Sequence, residues 1–182
     1  MLQGLYAITD AELTPDQTIL HQVELALKGG AKIIQLREKN RSDAELLEIA
    51  QALKMLCQNH NAILIINDRL ELAQKVDADG LHIGRHDLNF VAAQREFPKK
   101  ILGVSCYGDL ERAQYFQDQG ASYVAFGACF QSPTKPLAEQ ISDTLLATAK
   151  QRLTIPICAI GGITLENAPR LRQDKVDMLA VI

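Results

Sequence analysis

Lys32-Ile33-Ile34-Gln35-Leu36-Arg37-Glu38-Lys39 begins just after Gly29 and Gly30 and passes from a short apolar run to a charged end. A brief apolar run bounded by glycines reads as a buried strand. Alternate side chains of a strand share a face, which predicts Gln35, Arg37 and Lys39 on one side. An amide and two cations would then converge at one strand end. That end is either a solvated surface or the mouth of an anion site, and the neighbouring segments bear on which.

Outward from this stretch, short β-rich runs alternate with helical ones. Leu5 to Ile8 reads as the first strand, and Thr14-Pro15-Asp16-Gln17 as a capping box with proline at the first helical position. The helix it opens, through Ile19, Val23, Leu25 and Ala26, stops at Gly29-Gly30. Ser42-Asp43-Ala44-Glu45 opens a second helix, to about His60. Further strands are predicted at Ala62 to Ile66, Leu81 to Ile83, Ile101 to Val104, Tyr123 to Phe126, Ile157 to Ile160 and Met178 to Ile182. Helices are expected through Leu72 and Ala73, over Phe90 to Phe97, from Asp109 to Gln119, through Leu145 to Ala149, and from Thr164 to about Gln173. Gly127 to Gln140 is the longest irregular segment. Eight strands alternating with seven helices imply parallel pairing through right-handed crossovers, most simply a (β/α)8 TIM barrel in one domain spanning residues 1–182. An open doubly wound sheet is the alternative. Barrels of this kind usually run to about 250 residues, and no eighth helix follows the last strand, so a C-terminally truncated chain is expected.

Composition narrows the function classes. The 182 residues are 47% apolar and 23% charged, with a formal charge of −3. No basic run points to nucleic acid or an anionic membrane surface, so any anion site must be local. No segment has the length of a membrane span or the form of a signal peptide. Cys57, Cys106, Cys129 and Cys158 are widely spaced, which suits a reducing cytoplasm better than a disulfide framework. The oligomeric state is left open, a homo-oligomer included.

In a barrel, function gathers on the loops after the strands. Gln35 to Lys39, Asn67-Asp68, Asp87, Ser105, Ser132 to Lys135 and Gly161-Gly162 all fall there, while the loops before strands hold turn residues and lysines. Asp68 and Asp87 end neighbouring strands, so closure could bring both carboxylates to one ion. One or two carboxylates completed by water and phosphate oxygens is a common magnesium arrangement. An isolated Asp there can instead cap the following helix. With Arg37, Lys39 and Lys135 these residues outline a pocket for magnesium pyrophosphate. Gly161-Gly162 before a helix favours a second phosphate, with Ser132 and Thr134 as added donors. His82 and His86 have a metal-like spacing, but His82 lies within a strand and reads as packed. Cys106 and Cys129 fall near the pocket. No strand end pairs a His with a nucleophile, so triad and general-base chemistry find no support.

Leu5-Tyr6-Ala7-Ile8-Thr9-Asp10, Gln35-Leu36-Arg37-Glu38-Lys39, Ile66-Asn67-Asp68, Gly80-Leu81-His82-Ile83-Gly84, Gly103-Val104-Ser105 and Ile160-Gly161-Gly162-Ile163 together resemble thiamine phosphate synthase. The resemblance implies condensation of a hydroxymethylpyrimidine pyrophosphate with a hydroxyethylthiazole phosphate, assisted by magnesium. It implies Gln35, Leu36, Arg37, Glu38, Lys39 and Asn67 against the pyrimidine pyrophosphate, and Asp68 and Asp87 as metal ligands. Ser105 would meet the pyrimidine, Lys135 the pyrophosphate, and Ser132, Pro133, Thr134 and Gly162 the thiazole phosphate; Arg37, Lys39, Ser105 and Lys135 form the catalytic set. Three departures stand out. Arg85 replaces a Gln that often precedes the strand-four aspartate, Gln131-Ser132 replaces Pro-Thr, and the family continues past the last strand. The alternatives are a thiazole tautomerase, whose pattern places a His where Ser105-Cys106-Tyr107 stands, and a catalytically silent phosphate-binding barrel.

Overall fold

The computed structural model describes residues 2–84, 89–132, 137–142, 144–171 and 176–182, and the backbone alone of 172 and 173. Its elements are β1 (Gly4–Ile8), α1 (Ile19–Lys28), β2 (Ile33–Leu36), α2 (Asp43–Asn59), β3 (Ile63–Asn67), α3 (Leu70–Lys75), β4 (Gly80–Ile83) and α4 (Phe90–Glu96). They continue with β5 (Ile101–Tyr107), α5 (Leu110–Asp118), β6 (Tyr123–Phe126), α6 (Leu145–Arg152), β7 (Ile157–Ile160), α7 (Ala168–Gln173) and β8 (Met178–Val181). The strand order runs from β1 to β8 in a closed (β/α)8 barrel. The chain divides into two compact units, Leu5–Leu102 and Gly103–Val181, each carrying half of the strands almost entire.

In the first unit β1 to β4 pair in parallel, with Ile8 beside Gln35, Leu36 beside Ile66 and Asn67 beside His82. Ile33, Ile34, Leu36, Leu64, Ile65 and Ile66 are all buried. Strands covered on both faces read as such continuous apolar runs. Helix α2 begins as expected: Ser42 Oγ accepts from the Glu45 N–H at 3.4 Å, and the Ser42 N–H donates to Glu45 Oε2 at 2.8 Å. The Ser42 hydroxyl, and then its backbone, hold the exposed Glu45 carboxyl below its usual range. Leu46, Ala50, Leu53 and Cys57 follow at helical spacing and form the buried stripe.

The first helix departs from expectation. Thr14 does not cap it; its hydroxyl donates to the Asp10 carbonyl at 2.8 Å and accepts from the Asp10 N–H at 2.9 Å. Residues 15–18 form a turn, with the Pro15 carbonyl accepting from both Thr18 and Ile19, and the helix starts at Ile19. The competing partner is Asp10, which ties Thr14 back to the end of β1.

In the second unit β5 to β8 pair in parallel, with Ser105 beside Ala125, Phe126 beside Ala159 and Ile160 beside Ala180. Strand β5 runs to Tyr107 instead of ending at Ser105, with an irregularity in register between Ser105 and Tyr107. Gly103 accommodates the buried Tyr123 ring, since an added Cβ would lie 2.0 Å from it.

Each unit carries the same staple at the start of its strands. Asp79, just before β4, accepts from Lys54 Nζ of α2 at 2.6 Å and from the Leu64 N–H of β3 at 2.8 Å. Asp177, just before β8, accepts from Lys150 Nζ of α6 at 2.7 Å and from the Ile157 N–H of β7 at 2.8 Å. Each carboxylate thereby satisfies a strand-opening N–H and a lysine drawn in from the helix layer. The loops before strands thus hold more than turn residues and lysines: aspartates there are structural.

Candidate active site

In the first unit the ends of β1, β2 and β3 carry a connected polar cluster. Strand β2 stops at Leu36, so Arg37 and Lys39 lie in the loop just beyond it. Gln35 is buried and its Nε2 donates to the Tyr6 hydroxyl at 2.7 Å. Arg37 turns toward β1, where its N–H donates to Thr9 Oγ1 at 3.0 Å and its Nη1 lies 3.8 Å from Asp10 Oδ2. Lys39 turns toward β3, its Nζ 3.7 Å from Asp68 Oδ2. Arg37 is thus paired with a carboxylate just past β1, and Lys39 with one just past β3.

The backbone supports this placement. Asp10 Oδ1 accepts from the N–H groups of Glu12 and Leu13 at 3.0 and 3.3 Å, which leaves Oδ2 for Arg37. Asp68 adopts φ +62, a left-handed conformation that Asp tolerates better than most residues. Its N–H donates to the His82 carbonyl, and its Oδ2 accepts from Asn67 Nδ2 at 2.5 Å. The Glu38 carboxylate accepts the Asn40 N–H at 2.6 Å, tightening the turn that carries Lys39. A cavity of about 260 Å³ opens between the loops after β1 and β2, lined by Asp10, Asp16, Arg37 and Arg41 over an apolar floor of Ile19 and Leu46.

In the second unit the loop after β6 runs along the end of β7. The Cys129 N–H donates to the Ile160 carbonyl and the Phe130 N–H to the Gly161 carbonyl, both at 2.9 Å. This brings Gln131, beside Ser132, against Gly162, where an added Cβ would lie 2.3 Å from the Gln131 carbonyl oxygen. Gly162 also has φ +62. Gly162→Ala therefore lowers the unfolding free energy by at least about 1–3 kcal/mol from backbone strain alone. Urea denaturation measures it, and an unchanged midpoint would show that the loop gives way. Thr164 and Asn167 exchange hydrogen bonds ahead of α7, and the Asn167 amide donates to the Gly162 carbonyl at 2.8 Å. Ser105 lies within β5, and its carbonyl accepts from Arg112 Nε at 3.0 Å.

Arg85, His86, Asp87, Pro133, Thr134 and Lys135 lie outside the described residues. Among the described residues no group of three or more His, Cys, Asp or Glu is arranged to hold a metal. His82 is buried, as its place within a strand predicts. Burial pushes the thiols of Cys57 and Cys106 up to about 12, and that of Cys158 further still. None of these three is a nucleophile near neutral pH. Cys129, partly exposed, is the thiol expected to react first with a disulfide reagent at pH 8 in the folded protein. Mass mapping checks this, and labelling of Cys57 before Cys129 would contradict the packing.

Thr9, Asp10 and Arg69 belong to the first cluster, and the sequence reading gives none of them a role in the site. Thr9-Asp10 had a usable signal, because the pair directly follows a strand like the other site segments.

A family model described as thiamine monophosphate synthase matches residues 5–182. A thiamine-phosphate synthase of Wolinella succinogenes is 47% identical over 183 residues, covering 100% of this chain and 84% of the relative. One from Saccharophagus degradans is 48% identical over 179 residues, covering 97% and 82%. Among solved structures, thiamine phosphate pyrophosphorylase from Pyrococcus furiosus superposes with a TM-score of 0.90 at 36% identity, covering 100% of this chain and 85% of that one.

Proposed function

The chain belongs to the thiamine monophosphate synthase family, and on that premise we propose that it joins 4-amino-2-methyl-5-hydroxymethylpyrimidine pyrophosphate to 4-methyl-5-(2-hydroxyethyl)thiazole phosphate. The products are thiamine phosphate and pyrophosphate. Family membership makes the chain a transferase of thiamine biosynthesis; the substrates, residue roles and metal are our reading. The observation that carries it is the pairing of Arg37 with Asp10 and Lys39 with Asp68 at the ends of three adjacent strands.

Arg37 and Lys39, joined by Lys135, bind the pyrophosphate, and Gln35, Leu36, Glu38 and Asn67 shape the adjoining wall. Ser105 meets the pyrimidine, and Ser132, Pro133, Thr134 and Gly162 hold the thiazole phosphate. The bond from the pyrimidine methylene carbon to the pyrophosphate oxygen breaks, and the electron pair leaves with the pyrophosphate. The ring amino group donates into the resulting cation. The thiazole nitrogen then forms the C–N bond with its own lone pair, so no general base is needed. The cations stabilise charge on the departing group, an effect that preorganised charges exert strongly.

The donor set fits magnesium. The Asp68 carboxylate is a hard oxygen donor of the kind magnesium takes, and its side chain is only one-fifth exposed. Asp68, with Asp87, would hold the ion. When bound, magnesium supplies further neutralisation of the leaving pyrophosphate. The four cysteines, none in a disulfide, support a cytoplasmic setting, and the substrates are small molecules. Incubation with both substrates tests the reading by chromatography: thiamine phosphate should appear with magnesium and stop on adding chelator. A folded chain that forms none under either condition would overturn it.

A further inference from the structure

We propose that Arg69 is a positioning residue, which holds the loop after β2 so that Arg37 and Lys39 stay in place for a pyrophosphate group. The role rests on the function proposed above. Arg69 directly follows Asp68 and reaches back across 31 residues of sequence. Its Nε and Nη2 donate to the Glu38 carbonyl at 3.1 and 2.9 Å, and Nη2 donates again to the Arg41 carbonyl at 2.6 Å. Its Nη1 donates to Asp43 Oδ1, at the start of α2, at 2.7 Å. One planar guanidinium thus fixes three points of the segment 38–43, with Lys39 and Asn40 between the first two.

The geometry explains why an arginine serves here. Two of the three acceptors are backbone carbonyls at different points of a turn, and the third is a carboxylate. A rigid fork with five N–H donors reaches all three at once, whereas an ammonium on a flexible stem cannot. The side chains of Arg69 and Asp43 are only 21% and 25% exposed, so the clamp is partly withdrawn from competing water. Because Asp68 immediately precedes Arg69 and faces Lys39, the clamp also fixes the spacing between the carboxylate end of β3 and the cationic loop of β2. The Arg69 guanidinium spends four of its five N–H donors on the protein itself, which is what separates a positioning group from a substrate ligand.

The test compares the wild-type chain with Arg69→Met and Arg69→Lys. Hydrogen exchange of residues 38–42 and calorimetric binding of magnesium pyrophosphate are measured alongside steady-state kinetics. Arg69→Met should speed exchange in this loop at least about tenfold, and raise both the pyrophosphate Kd and the KM for the pyrimidine substrate by about 10–100-fold, the scale for groups that orient ligands from behind. The KM for the thiazole substrate should stay within about twofold, which general loss of stability would not produce. Arg69→Lys, which keeps the charge and loses the fork, should restore little. Unchanged loop exchange, or faster exchange with unaltered pyrophosphate affinity, would overturn the positioning role. If the wild-type chain neither binds pyrophosphate nor turns over, the proposed function itself fails, whatever the variants do.

Discussion

Asp68→Asn lowers kcat/KM for the pyrimidine substrate by at least about a hundredfold, the scale seen when one group that stabilises developing charge is lost. Asparagine is the informative replacement because position 68 sits at φ +62. Asn enters that region readily, whereas Ala would add backbone strain. The variant keeps an oxygen near Lys39 and removes the charge, so its fold should persist while its magnesium requirement rises. Asp68→Ala should lose at least as much activity, with some stability as well. A magnesium titration of initial rates separates the two effects. Near-normal rates in both variants, with folding intact by circular dichroism, would overturn the proposed role of Asp68 in holding magnesium.

Arg37→Ala should cost a similar factor, about a hundredfold or more in kcat/KM, for two reasons. It removes a cation from the proposed pyrophosphate site, and it leaves Asp10, now 3.8 Å from Arg37 Nη1, as an uncompensated carboxylate that would face an incoming anion. The variant Asp10→Asn/Arg37→Ala should therefore recover part of the loss, because contacting charges couple. Arg37→Lys should recover less than its charge suggests, since a point charge does not reproduce the planar fork. Steady-state kinetics on the three variants would settle the assignment. Equal losses in the single and double variants would mean that Asp10 exerts no opposing field.

Much of this architecture is readable from local pattern. Strands such as Ile63 to Asn67 announce themselves as apolar runs, and the Ser42–Glu45 box fixes the start of α2 because both partners lie within one turn. Local pattern misleads where a tertiary partner competes. Thr14 has the form of an N-cap, yet Asp10 takes both of its hydrogen-bonding roles. Ser105 looked like a strand end, but β5 continues to Tyr107.

Pairings between distant residues left no local trace. Lys54 and Asp79 are 25 residues apart, Lys150 and Asp177 are 27, and Arg69 finds its carbonyls on another loop. The candidate site was legible as residue types at strand ends, and its internal geometry was not. Period-two alternation holds only while the backbone is extended, so it speaks for Gln35 within β2 and not for Arg37 and Lys39, which lie beyond its end at Leu36.

On the proposed function, this one chain couples departure of pyrophosphate to formation of thiamine phosphate with magnesium present. The most direct measurement follows both products from a single reaction across a magnesium titration, with each substrate also supplied alone. Pyrophosphate and thiamine phosphate should form in equal amounts, only when both substrates are present, rising together with magnesium and falling together with chelator. Pyrophosphate released without thiamine phosphate, or neither product at any magnesium concentration, would contradict it.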